Sequence, residues 1–212
     1  MRILKVGNIN LDEIRFSDPR HNRTGSQSVY VNYSPGATSR NEERITIQSP
    51  TVMIPFGVSE FKGSYYLDIS VRDDVFVDFI KYMDAKVIKQ AVIKSEEWFG
   101  RQLPEEEIST MFRPSIRETK PGFPPIFKAK LFMNEGEYEG DVYDMNKNLV
   151  SLGSLEKMSR IQVMVELVGI YIVPKAFGIT WKISQIKIHP SKVVSGYSFK
   201  DEVDDGVQEA SP

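Results

Sequence analysis

Few folds can accommodate residues 160–188, RIQVMVELVGIYIVPKAFGITWKISQIKI. The first half, residues 161–173, is a run of β-branched and aromatic residues too long for a single turn. The second half alternates: Ile179, Trp181 and Ile183 share one face, Thr180 and Lys182 the other. The phase then slips by one residue, so that Ile186 and Ile188 rejoin the apolar face and Gln185 and Lys187 the polar one. One slip inside a regular alternation is how a β-bulge looks in sequence. Pro-Lys-Ala-Phe-Gly lies between the halves, with Pro174 ending the first strand and Gly178 free to take φ > 0. These features predict a long twisted hairpin with one apolar face and one weakly basic face.

The rest of the chain is read around that hairpin. Residues 27–33 alternate Val29, Val31 and Tyr33 against Tyr30 and Asn32. Residues 44–48 and 51–56 are strand-like pieces broken by prolines, and residues 65–72 place Tyr65, Leu67, Ile69 and Val71 on one face. From 74 to 94, Val75, Phe76, Phe79, Ile80, Met83, Val87, Ile88 and Ala91 recur at helical spacing behind an Asp73-Asp74 cap. A shorter helix is expected over 104–111, with Pro104 and three glutamates at its start. After a basic, proline-punctuated connector, residues 126–133 alternate again: Phe127, Ala129, Leu131 and Met133 on one side, Ile126, Lys128, Lys130 and Phe132 on the other. Strands on both sides of one helical stretch predict a mainly β (α+β) fold. The expected form is a single OB-fold-like β-barrel over 1–198, elaborated by a helical insertion at about 74–111. The polar loops 17–26 and 34–43 are long enough to close over a ligand.

Composition narrows the chemistry. There is no cysteine, which removes disulfides and thiolate catalysis and fits an intracellular protein. No apolar run reaches the roughly 20 residues of a membrane-spanning helix, so no membrane partner is expected. His21 and His189 stand beside no triad signature, and no glycine-rich phosphate loop is present. Asp141 with Asp144 is the acidic pair that a metal-dependent nuclease would need, but the other acidic clusters read as helix-end residues. Neither a cofactor nor a metal is expected.

Binding a single-stranded nucleic acid requires cations for phosphates and exposed aromatics for bases. The candidates are Lys128, Lys130 and Phe132 on one strand, and Lys182 and Lys187 on the polar face of another. Lys175 in the turn, Arg113 and Arg117 in the connector, and Tyr30 and Tyr143 opposite their strands' apolar sets complete the group. Trp181, on the apolar face, reads as core rather than as a stacking platform. The last 13 residues carry a net charge of −4 within a chain of net −2, leaving the body at about +2. Residues 199–212 therefore read as an acidic, disordered interaction tail.

The segments SEEWFGRQL, FRPSIRE with FPPIFKAKLF, and VELVGIYIVPKAFGITWKISQIKI resemble the single-stranded-DNA-binding proteins of large nucleocytoplasmic DNA viruses. The resemblance runs from about residue 49 to 188 and leaves the first 48 residues uncovered. It implies an OB-fold shared with the phage-type proteins that end in acidic tails. The implied activity is coating of single-stranded DNA in viral replication, recombination or repair, without sequence preference, cofactor or catalysis. The basic and aromatic positions it carries over are Lys128, Lys130, Phe132, Lys182 and Lys187. The resemblance also implies that the tail competes with DNA and recruits viral replication proteins, although this tail ends in Ala-Ser-Pro rather than an aromatic. The implied location is a viral replication site in the host cell, or the virion, and a homo-oligomer is left open. The alternative is a virion-associated structural or interaction protein.

Overall fold

Two long strands run through the whole molecule, Ser159–Val173 (β4) and Ala176–His189 (β5), paired antiparallel from Arg160 opposite His189 to Val173 opposite Ala176. The computed structural model describes residues 3–22, 25–36 and 43–190. The acidic tail at 199–212 lies outside the described residues.

The remaining barrel strands are Val52–Ile54 (β1), Ser64–Ser70 (β2) and Ile126–Leu131 (β3). They close a ring in the order β1, β2, β3, β5, β4 and back to β1, with β3 and β5 parallel and the other pairings antiparallel. This is the five-stranded Greek-key barrel of an OB-fold, and it agrees with the fold class expected from the sequence.

The length of the hairpin leaves edge beyond the ring, and short strands cover it. Along β4 the strands Thr46–Gln48 and Gln27–Tyr33 follow β1. Along β5 the strands Phe112–Arg113 and Asp141–Tyr143 flank β3.

The expected bulge is present. Met164 pairs with Gln185 but Val165 with Ile183, so Ser184 is the extra residue. A second bulge falls on β4, where Leu167 pairs with Trp181 and Gly169 with Thr180, leaving Val168 over. At Gly169 a Cβ would stand 2.5 Å from the Val29 carbonyl oxygen, so a side chain there would push the Gln27–Tyr33 strand away.

The turn departs from expectation. Pro174 and Lys175 alone connect the strands, and Ala176 and Gly178 are already paired with Val173 and Tyr171. Gly178 is needed for close approach rather than for φ > 0: a Cβ there would lie 2.9 Å from both the Arg113 carbonyl oxygen and the Tyr171 hydroxyl.

Between β2 and β3 the chain forms three helices, Asp74–Ile93 (α1), Ser95–Phe99 (α2) and Glu105–Met111 (α3). Asp73 caps α1 by accepting from the Phe76 N–H at 2.8 Å, and Gly100 closes α2 in the left-handed conformation at φ 73. The buried face of α1 carries Phe76, Phe79, Ile80, Met83, Val87 and Ala91. Val75, read into that stripe from spacing, is instead exposed. Phe76 meets Phe127 edge-on, and Phe127 meets Trp181 in the same way, both at 5.7 Å between ring centroids. The helix is thereby stacked onto the barrel wall. Trp181 is 2% exposed, a core residue as its phase predicts.

A buried hydrogen-bond chain reinforces this contact. The Trp181 indole N–H donates to the Ser115 hydroxyl at 2.9 Å. That hydroxyl donates to Asp84 Oδ1 on α1 at 2.7 Å, and the Ser115 main-chain N–H donates to Asp84 Oδ2 at 2.8 Å. Burial pushes the Asp84 carboxyl from its ordinary 3.8 up to about 6, against the opposing hydrogen bonds from Ser115 and Ile116. Because the folded value lies above the unfolded one, folding takes up a proton between these two pH values. Above pH 6 the buried charge opposes folding by about 3 kcal/mol, at 1.36 kcal/mol per unit, and this opposition fades as the pH falls. Relative to Asp84→Asn, the wild-type protein should regain roughly half of that between about pH 7 and about pH 5. Urea unfolding of both proteins at the two pH values measures the difference.

Candidate nucleic-acid interface

The alternation that sends Leu67, Ala129 and Ile183 inwards sends their neighbours outwards. Tyr66 on β2 stands opposite Lys130 on β3, and Lys130 opposite Lys182 on β5. These residues form one row across three strands spaced about 4.8 Å apart. One step along, Lys128 stands opposite Asp68. Beyond β2 the strand Val58–Phe61 pairs back on it through a tight Lys62-Gly63 turn, both residues at positive φ (51 and 73). Phe61 is held out at that tip, 61% exposed.

These elements and the Arg113 strand enclose a depression of about 490 Å³. Its cations are Arg113, Lys128 and Lys130, its aromatic rings Phe61, Tyr66 and Tyr171, and its floor Ser115 and Trp181; among the described residues no carboxylate lines it. The Lys128 ammonium lies 4.4 Å from the centre of the Tyr66 ring. The Arg113 guanidinium donates to the Thr110 and Phe112 carbonyl oxygens at 3.3 and 3.5 Å and makes no ion pair among the described residues. Burial raises the Tyr171 hydroxyl above its usual range, with Arg113 partly opposing, so the phenol stays neutral. Together these groups offer positive charge for phosphates beside ring faces for bases.

Phe132 and Lys182 adjoin this depression. The Phe132 ring takes the Lys182 ammonium at 4.5 Å and that of Lys130 at 5.6 Å. Lys182 is also paired with Glu139 at 2.9 Å, so part of its charge is already neutralised. Glu139→Gln should free it, so that a single-stranded oligonucleotide held on this face would bind about two- to fivefold tighter, with a salt slope steeper by up to roughly 0.7. Titrations at several salt concentrations check both quantities.

The other residues singled out from the sequence stand elsewhere. Arg117 donates to Asp68 at 3.5 Å at the margin of this face. Lys187 and Tyr143 line a separate depression of about 350 Å³ with three glutamines. Lys175 lines a third depression on the helical side, beside Trp98 and Arg101, and Gly25 of the 17–26 loop borders it too. Tyr30 lies under the Arg20 guanidinium at 5.3 Å on the outer strand Gln27–Tyr33. Grouping Lys182 with Lys187 by phase ignores the length of β5: five residues at about 3.3 Å carry them some 16 Å apart.

Tyr66, Phe61 and Tyr171 were not singled out from the sequence. The signal was there for Tyr66, which alternates with the core residues Leu67 and Ile69, but its partners appear only once β2 is laid beside β3. The Asp141 and Asp144 carboxylates do not converge. Asp144 accepts from the Asn146 and Asn148 main chain and the Asn148 side chain, while Asp141 takes the Tyr143 hydroxyl and the Gln185 amide. Among the described residues no group of three His, Cys, Asp or Glu could hold a metal ion.

Among solved structures, the chain is similar to the single-stranded DNA binding protein gp2.5 encoded by bacteriophage T7. That match has 15% identity and a TM-score of 0.47, covering 79% of this chain and 96% of that one. It is also similar to the single-stranded DNA-binding protein from bacteriophage Enc34, at 10% identity and a TM-score of 0.43, covering 90% and 98%. The same Enc34 protein in complex with single-stranded DNA matches at 9% identity and a TM-score of 0.37, covering 86% and 96%. A search of curated protein sequences finds no match. One family model matches, over residues 61–202, which span the helices, the depression and the whole β4–β5 hairpin, and the chain accordingly belongs to a family of unknown function, DUF5871.

Proposed function

We propose that this protein binds single-stranded DNA without sequence preference, through the depression between β2, β3 and the Arg113 strand. The observation that carries the reading is the placing of three cations, with no carboxylate partner among the described residues, beside three aromatic rings in one concave surface. Ring faces stack on any unpaired base, whereas the base faces of a duplex are already stacked on each other. Lysine and arginine contacts to phosphate carry no sequence information and make affinity fall with salt. The setting implied by the sequence resemblance is the coating of strands exposed during viral DNA replication, recombination or repair, with the acidic tail engaging replication proteins.

The test is fluorescence anisotropy of a labelled oligo-dT of about 30 nucleotides, long enough for one OB domain covering roughly 4–16, beside a duplex of the same length. Binding that prefers the single strand and weakens with salt is expected. Binding indifferent to strandedness would overturn the reading and favour a structural or virion-associated role.

A further inference from the structure

The hydrogen-bond chain from Asp84 through Ser115 to Trp181 ends at the floor of the depression, and its place suggests more than core stability. Ser115 lies in the short segment 113–117, which leaves α3, crosses the barrel wall and turns into the strand Ile116–Arg117 beside β3. Asp84 is 7% exposed and Ser115 likewise, so one carboxylate oxygen turns to the Ser115 hydroxyl and the other to the Ser115 main-chain N–H rather than to water. Such a buried polar contact is specific: the carboxylate must be satisfied, and only Ser115 in its present position satisfies it from both the main chain and the side chain. Arg113 is two residues away across Pro114, which stiffens the link.

We propose that Asp84 is a positioning residue for the DNA-binding depression: by gripping Ser115 it fixes segment 113–117 against the barrel and keeps the Arg113 guanidinium at the rim, where a phosphate would meet it. The inference rests on the reading of the depression given above. Asp84 itself touches no ligand; it lies behind the floor formed by Ser115 and Trp181. Within segment 113–117, Arg113 is the cation that carries this effect to a phosphate.

A double-mutant cycle on oligo-dT binding tests this. Asp84→Ala should weaken binding about fivefold and make the salt slope shallower by about 0.7, the share of one phosphate contact on a single strand. Asp84→Asn, which retains an acceptor for the Ser115 N–H, should bind nearly as the wild type does. In an Arg113→Ala background, Asp84→Ala should cost nothing further, because the group it positions is gone. Losses that multiply in the double variant, or an Asp84→Ala protein that binds like the wild type, would overturn the inference.

Ser115→Ala runs in parallel. It keeps the carboxylate and the main-chain bond, so it decides the question should Asp84→Ala fail to fold; a loss of about twofold, absent without Arg113, is expected. Hydrogen exchange without DNA is the independent arm. Exchange across segment 113–117 should accelerate about tenfold in Asp84→Ala or Ser115→Ala while β4 and β5 stay protected, and unchanged exchange would overturn the positioning role. If the wild-type protein ignores oligo-dT, the proposed function fails, and the exchange arm still reports whether Asp84 holds the segment.

Discussion

Replacing Lys128 and Lys130 together by glutamate is expected to weaken binding to any single-stranded oligonucleotide by on the order of 100-fold near 0.1 M salt. The two ammonium groups stand on β3 within the carboxylate-free depression, one against the Tyr66 ring and the other near that of Phe132. Losing two phosphate contacts should make the salt slope shallower by about 1.4, and the added negative charges repel the strand further. The fold should survive, since Lys128 is exposed, Lys130 only half-buried, and neither forms an ion pair among the described residues. The comparison that matters is with Lys187→Glu in the separate depression, for which a loss several times smaller is expected. Equal losses from both would mean that charge alone, not this depression, attracts the strand.

The second large effect concerns stability. Trp181→Ala should cost about 3–5 kcal/mol, the usual range for deleting a large aromatic side chain from a core. The ring packs edge-on against Phe127, and its N–H is the donor at one end of the buried chain to Ser115 and Asp84. Truncation therefore leaves a cavity beside a network that has lost one member. Urea unfolding followed by far-UV circular dichroism measures it, because Trp98 would confuse a fluorescence signal. A cost below about 1 kcal/mol would return Trp181 to the surface role that its phase argues against.

What the sequence made legible follows from where its signals are local. The slip between Ile183 and Ile186 is visible because polar and apolar residues alternate strictly on both sides of Ser184, and the bulge lies there. The bulge at Val168 is not visible, because apolar residues fall on both faces of its surroundings and leave no phase to break. Gly178 looked like a turn residue from its neighbours Pro174 and Lys175. Its reason for being glycine is the Arg113 main chain, brought beside it by a parallel pairing that no local pattern encodes.

The site divides in the same way. Lys128 and Lys130 could be found from one strand's alternation, and the structure places them together with Arg113. Tyr66 and Phe61 join them only through the β2–β3 register and the tight hairpin before β2. Lys175, Lys187, Tyr143 and Tyr30 share charge or aromaticity with the depression but not its location. The Asp84–Ser115 contact joins a helix to a connector, so nothing in the spacing of either residue announces it.

The proposed depression predicts where a bound strand lies. Photocrosslinking oligo-dT to the wild-type protein, followed by mass spectrometry of the adducted peptides, locates it directly. The expected adducts fall on peptides carrying Phe61, Tyr66 and Tyr171, the rings that line the depression. Adducts confined to the peptides of Tyr143 and Lys187, or to the helical side around Trp98, would contradict the account.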